Sequence, residues 1–264
     1  MNSYLSLSAF TALLPLMVYV LRFPNGRRFY FWCFLAVAIS GSGSWTFVMF
    51  AEGWQTGFAP ALWVTITATL LIYLPIAGIY HEGYKLAAGL LPYLLMLGGL
   101  SFIWEGQLQG KNLTNASDFW VISHIIFSLT TYALLTLAAV AGFSAFVQER
   151  SLKTKKYTFL NVAFPTLASS ENLESRLLEL STFVLSIGLI TGTTIHFLQT
   201  GSFFQLTHKT LLSVGTFGII LTLLVARKVI GLRGIKAARW ALLAFLTLTL
   251  AYPGVKFVTD VLLV

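Results

Sequence analysis

Apolar runs long enough to cross a bilayer recur from one end of this chain to the other, with charged residues confined to the gaps and the run ends. In hydrocarbon each backbone N–H and C=O has to find its partner inside the segment, so runs of about 20 apolar residues fold as spanning helices. Eight such spans are predicted, at 4–21, 29–50, 60–80, 86–104, 119–147, 177–200, 207–226 and 239–260. The fold class is all-α, a polytopic membrane helix bundle. Only 10% of the 264 residues are charged, against about a quarter in soluble proteins. No gap is long enough to build a separate core, so 1–264 is a single integral-membrane domain. Residues 1–117 hold its first four spans and 118–264 the rest.

Charge sets the expected orientation. The first, third, fifth and seventh connections carry 14 of the 17 Lys and Arg. The other side has Lys111, Lys209 and Lys256. The positive-inside rule makes the odd connections cytoplasmic and places both termini outside. The first run has no basic residues before it, and Arg22, Arg27 and Arg28 follow it, so it reads as a retained span rather than a signal peptide. The net charge of +8 then reflects topology, and nucleic acid is not an expected partner. The lone Cys33 excludes an internal disulfide and thiolate clusters, and reads as a small core residue.

The longest connection, 148–176, is basic in its first half and is broken by Pro165 and the Ser169–Ser170 pair. Glu171 and Glu174 are expected in the first turn of the helix that follows, where they suit its dipole. It reads as a solvated loop, with docking of a cytosolic partner as the alternative.

An ionisable side chain inside a span marks a candidate functional site. His124 lies about one turn inside the outer end of span five, on a stripe with Ser128, Thr131, Leu135, Ala138 and Gly142. His196 lies about one turn inside the outer end of span six, above Ser181, Leu185, Gly188 and Gly192. His208 starts span seven, while His81 falls on the cytoplasmic side beside Glu82. Small-residue faces allow close helix approach or leave room for a flat ligand. Two imidazoles on neighbouring helices at one depth are what bis-histidine haem ligation needs. His124 and His196 are therefore the candidate metal ligands and His208 the reserve. Hydrogen-bonded interfacial histidines are the competing reading. Trp45, Trp54, Trp104, Phe119, Trp120, Phe203 and Phe204 either flank a porphyrin or form an aromatic belt. Lys111 or Lys209 is the candidate partner for a haem carboxylate. Buried mid-span carboxylates, phosphate loops and Ser–His–Asp arrangements are absent from the sequence, so the chain is not expected to be an enzyme.

From span five onward the chain resembles the cytochrome c assembly family of haem-handling membrane proteins, which includes the CcsA/ResC and CcmC types, and most nearly its YpjD/HemX-like branch. The residues that carry the resemblance are His124, Ser128, Tyr132 and Ala133, then Pro165 with Leu173 and Glu174. Thr191 and Gly192, Lys209, and Gly231, Arg233 and Gly234 complete it. The resemblance implies an inner-membrane protein of bacteria that binds haem near its outer face for cytochrome c assembly or haem trafficking, with cytochrome assembly proteins among its partners. His124 falls where the family's first flanking histidine falls. The family's tryptophan-rich segment is missing, since residues 193–208 contain neither Trp nor Asp. The alternative function is a haem-free membrane scaffold or regulatory subunit.

Overall fold

The structure is a computed structural model that describes residues 2–51, 57–104, 119–201 and 208–258. Its spanning helices are α1 (Asn2–Arg22), α2 (Arg28–Ala51), α3 (Phe58–Ile79) and α4 (Ala87–Ile103, entered through a 3-10 turn, Gly83–Leu86). They continue with α5 (Phe119–Thr154), then the short α6 (Phe159–Ala163), α7 (Leu167–Thr200), α8 (His208–Ile230) and α9 (Gly234–Thr249). The last span runs on through a π-helical segment, Leu250–Gly254, and a final turn, Val255–Phe257. Among the described residues eight helices are long and apolar enough to cross a membrane, and no strand occurs. This is the all-α membrane bundle that the apolar runs predict.

α5 is the central helix. It packs on α7 and α9, and also on α3 and α4, which join it to the α1–α4 half. Its middle is buried all round: Tyr132 to Ala139 are at most 6% exposed wherever they are hydrophobic. Small residues allow this. Ala138, Ala141 and Ala145 on α5 and Ala237, Ala238, Ala241 and Ala244 on α9 are all fully buried. A side chain added at Gly142 would meet the Ala238 Cα at 3.4 Å. Lipid tails are as apolar as leucine, so helices here gain by close van der Waals contact, which small residues permit.

The odd connections meet at one end of the bundle, the basic end. Arg28 donates to the His81 carbonyl at 3.1 Å. Glu82 Oε2 accepts from the Thr166 backbone N–H at 2.9 Å and its hydroxyl at 2.7 Å, capping α7 from across the bundle. Glu149 Oε2 accepts from Ile235 N–H at 2.7 Å, in the first turn of α9. These bonds satisfy helix-terminal donors that have no partner within their own helix.

Several expectations are corrected. The connection between spans five and six is shorter than 148–176, because α5 continues to Thr154 and α7 begins at Leu167. Its remainder includes α6 and is bonded to α5 through Gln148. Charges mark where the membrane ends, and the helix continues past them. Thr166 is the N-cap of α7 and Pro165 precedes it. Glu171 and Glu174 therefore fall beyond the first turn. Glu174 is fully buried and its Oε2 stands 2.7 Å from Arg227 of α8. The pair is held by charge and proximity, since neither Glu174 oxygen makes an aligned hydrogen bond. Cys33 is exposed on α2, not packed in the core.

Removing one partner of a buried pair strands the other charge, at about 3–5 kcal/mol. Arg227→Gln should accordingly lower the thermal midpoint of the detergent-solubilised protein by many degrees. Lys153→Gln, which breaks the exposed pair with Glu149, should shift it by no more than the little such surface pairs contribute. Thermal unfolding of both variants checks the contrast.

Candidate functional site

His124 is seated against α7 by the residues on which a flat ligand was expected to lie. A side chain added at Gly192 would meet the His124 Cε1 at 3.0 Å and Nδ1 at 3.4 Å. The absence of side chains on α7 at this level makes room for the imidazole itself. The ring's Nδ1 lies 3.0 Å from the Gly188 carbonyl and 3.2 Å from Thr191 Oγ1. A carbonyl can only accept, so Nδ1 carries the proton. In the neutral ring Nε2 then keeps its lone pair, with Ser128 Oγ at 3.5 Å. A backbone carbonyl accepting from one ring nitrogen is how metal-binding histidines are commonly oriented.

The ring borders a cavity of about 150 Å³ between α5, α7, α8 and the end of α9. Ser128 and Tyr132 line it from α5, Gly188 from α7, Lys209 and Ser213 from α8, and Tyr252 from the π-helical segment. Tyr132 O–H is 2.5 Å from Tyr93 O–H of α4 and 3.2 Å from Thr249 Oγ1. Thr65 of α3 neighbours the Tyr252 ring. The Tyr132 hydroxyl is thus engaged with the surrounding helices, and both rings line the cavity. Lys209 is exposed and stands at the mouth.

The other two histidines lie elsewhere. His196 is half-buried one turn beyond Gly192, about 6 Å further along α7 at 1.5 Å per residue. It does not line the cavity. Thr200 Oγ1 donates to the His196 carbonyl at 2.8 Å and lies 3.2 Å from its Nδ1. With its single proton used, that hydroxyl accepts from Nδ1–H. His208 is the first residue of α8 and is exposed.

Among the aromatics, Trp45 is buried in the α1–α4 half. Trp104 packs edge-on against Phe58 and Phe257, with centroids 5.9 and 5.3 Å away. Phe119 and Trp120 are exposed at the head of α5. Trp54, Lys111, Phe203 and Phe204 lie outside the described residues. Sequence reasoning missed Ser213 and Tyr252. The Tyr252–Pro253 pair near the end of a span was the available signal, because proline inside a helix disturbs its hydrogen-bond ladder and π segments gather at functional sites.

No group of three or more metal-binding side chains occurs among the described residues. An iron porphyrin would not require one, since the macrocycle supplies four ligands and the protein only one or two. The lining side chains include no carboxylate. The donor set therefore offers one oriented imidazole, hydroxyls and an ammonium, which can bind a metal and an anion.

The sequence pattern of the family described as "Cytochrome C assembly protein" matches residues 29–263. The match takes in α2 to α4 as well as the stretch from α5 onward that carries the resemblance. An "Uncharacterized 28.8 kDa protein in nifR3-like 5'region" from Azospirillum brasilense is 42% identical over 267 residues, covering 99% of this chain and 98% of that protein. No solved structure matches. The chain belongs to the cytochrome c assembly family, as a multi-pass membrane protein, and its role lies in cytochrome c biogenesis.

Gly192→Val should displace the His124 ring. Overpacking of this kind costs about 1–3 kcal/mol, so the thermal midpoint should fall by several degrees. Gly215→Ala, where an added side chain meets nothing within 4 Å, should change it far less.

Proposed function

We propose that the protein binds haem at the end of the bundle opposite the basic loops, where His124 would hold its iron, and acts by holding and passing on haem rather than by making bonds. The observation that carries this reading is the 3.0 Å contact between His124 Nδ1 and the Gly188 carbonyl. The Gly188 carbonyl fixes the proton on Nδ1 and leaves Nε2 as a donor beside a cavity. Lys209 at the mouth is placed to pair with a carboxylate of the bound group. His196, one turn out, is the second ligand, and His208 beside Lys209 is the reserve. The residues fit haem in donor chemistry. The cavity, at about 150 Å³, is smaller than the roughly 300–1,000 Å³ that encloses a small-molecule ligand. The cavity would take in only part of such a group. The iron would supply the ligand-binding and redox chemistry, while His124 and His196 would hold it and Lys209 would pair with a carboxylate.

The asymmetry of basic residues supports a bacterial inner-membrane location with the basic end in the cytoplasm and both chain ends outside. The haem site then faces the outer compartment, where cytochrome assembly partners and apocytochrome would meet it. A reporter fused after Val264 should be active outside. Activity in the cytoplasm would reverse the orientation.

One observation favours a haem-free scaffold. The Nδ1 of His124 is satisfied and its ring fills the small face of α7, as a packing residue would. The visible spectrum of protein purified after expression with added haem separates the two readings. The haem reading predicts a Soret band, lost or shifted in His124→Ala, perturbed in His196→Ala and unchanged in His81→Ala. Unchanged haem content in the His124→Ala, His196→Ala double variant would sink the site. A folded, colourless wild type would leave the scaffold.

A further inference from the structure

The segment between α5 and α7 turns apolar side chains away from the bundle at a depth fixed by hydrogen bonds. Gln148 Nε2 donates to the carbonyls of Asn161 at 3.0 Å and Pro165 at 2.9 Å, and Asn161 Nδ2 donates back to Gln148 Oε1 at 3.1 Å. Ser151 Oγ donates to the Lys156 carbonyl at 2.6 Å. The α6 helix is thus held level with Gln148, where the apolar run of α5 gives way to Glu149 and Arg150. α5 is about 54 Å long at 1.5 Å per residue, more than the roughly 40–45 Å of a bilayer with its headgroups. That length lets its last turns pass into the headgroup layer, with α6 at the level of that layer.

The two sides of this segment differ. Ala163 and Phe164 are buried, and the Phe164 ring meets Phe143 edge-on at 6.0 Å. Tyr157, Phe159, Leu160 and Val162 are 75%, 50%, 40% and 46% exposed. Lys155, in a left-handed turn with φ 54°, reverses the chain. It and Lys156 stand exposed beside these residues. A soluble face would not present this apolar surface. Aromatic and aliphatic side chains directly preceded by two lysines, next to the end of an apolar span, suit a headgroup layer that carries negative charge.

We infer that residues 155–162 form an interfacial strap: Tyr157, Phe159, Leu160 and Val162 insert among the headgroups at the basic end, and Lys155 and Lys156 bind the phosphates of anionic phospholipid. The strap holds the α5–α7 hairpin at a set depth, and it is independent of the haem site.

The test uses the full chain in nanodiscs of phosphatidylcholine, with or without phosphatidylglycerol. An environment-sensitive dye is placed by Phe159→Cys on a Cys33→Ser background, and the lipids carry a nitroxide near the headgroup. Blue-shifted emission is expected, with quenching at least twofold stronger in the anionic discs. Adding Lys155→Gln and Lys156→Gln should return quenching to the neutral-disc level. Water-like emission in both discs would overturn the inference and leave the face open to a soluble partner. Equal quenching in the two discs, or quenching unchanged by the lysine substitutions, would overturn the phosphate assignment. A second label at Val162→Cys keeps the test decisive if the Phe159 variant does not fold.

Discussion

Close approach of α5 and α7 is the constraint on which the site depends. The two helices come near enough for an imidazole on one to lie against bare backbone on the other, because α7 has glycine at positions 188 and 192. The same approach brings the Gly188 carbonyl within 3.0 Å of the ring. That carbonyl also accepts from Thr191 Oγ1 at 3.0 Å, so the hydroxyl and the ring nitrogen converge on one acceptor of α7. The packing and the orientation of the histidine are therefore one event. A larger residue on α7 would separate the helices and release the ring together.

Polar groups elsewhere follow the same economy. Threonine and serine hydroxyls along the spans return to carbonyls three or four residues back, as at Thr131, Thr136 and Thr182. Those that reach across, such as Thr46 to Thr67 at 2.8 Å and Thr216 to Thr247 at 2.9 Å, join helices where there is no hydrophobic force to do so. At the basic end, Glu82 ties the turn after α3 to the start of α7, Glu149 ties α5 to α9 and Glu174 ties α7 to α8. At the opposite end, His124, Lys209 and Ser213 border the cavity between α5, α7 and α8.

The eight spans were legible because hydrocarbon imposes a length and an apolarity that a sequence displays directly. The ends were less legible. α5 outruns its apolar stretch since a helix needs no hydrocarbon to continue, and α7 starts earlier because Thr166 is capped by Glu82, more than eighty residues away in sequence. The functional stripe was half legible. The faces of His124 and of Gly188–Gly192 were visible from spacing, but spacing could not say that one fills the other. Nor could it separate His124, at the cavity wall, from His196, a turn beyond it. Tyr252 was hidden for a related reason: the π-helical segment around Pro253 breaks the 3.6-residue register from which faces are read.

The central claim is that His124 presents Nε2 to a haem iron. It is tested most directly by pulsed electron paramagnetic resonance of the ferric, haem-loaded protein with nitrogen-15 in its histidines. The account predicts imidazole nitrogen couplings at the iron, one of which disappears in His124→Ala. An iron with no histidine coupling, or one whose couplings survive that substitution intact, would contradict it.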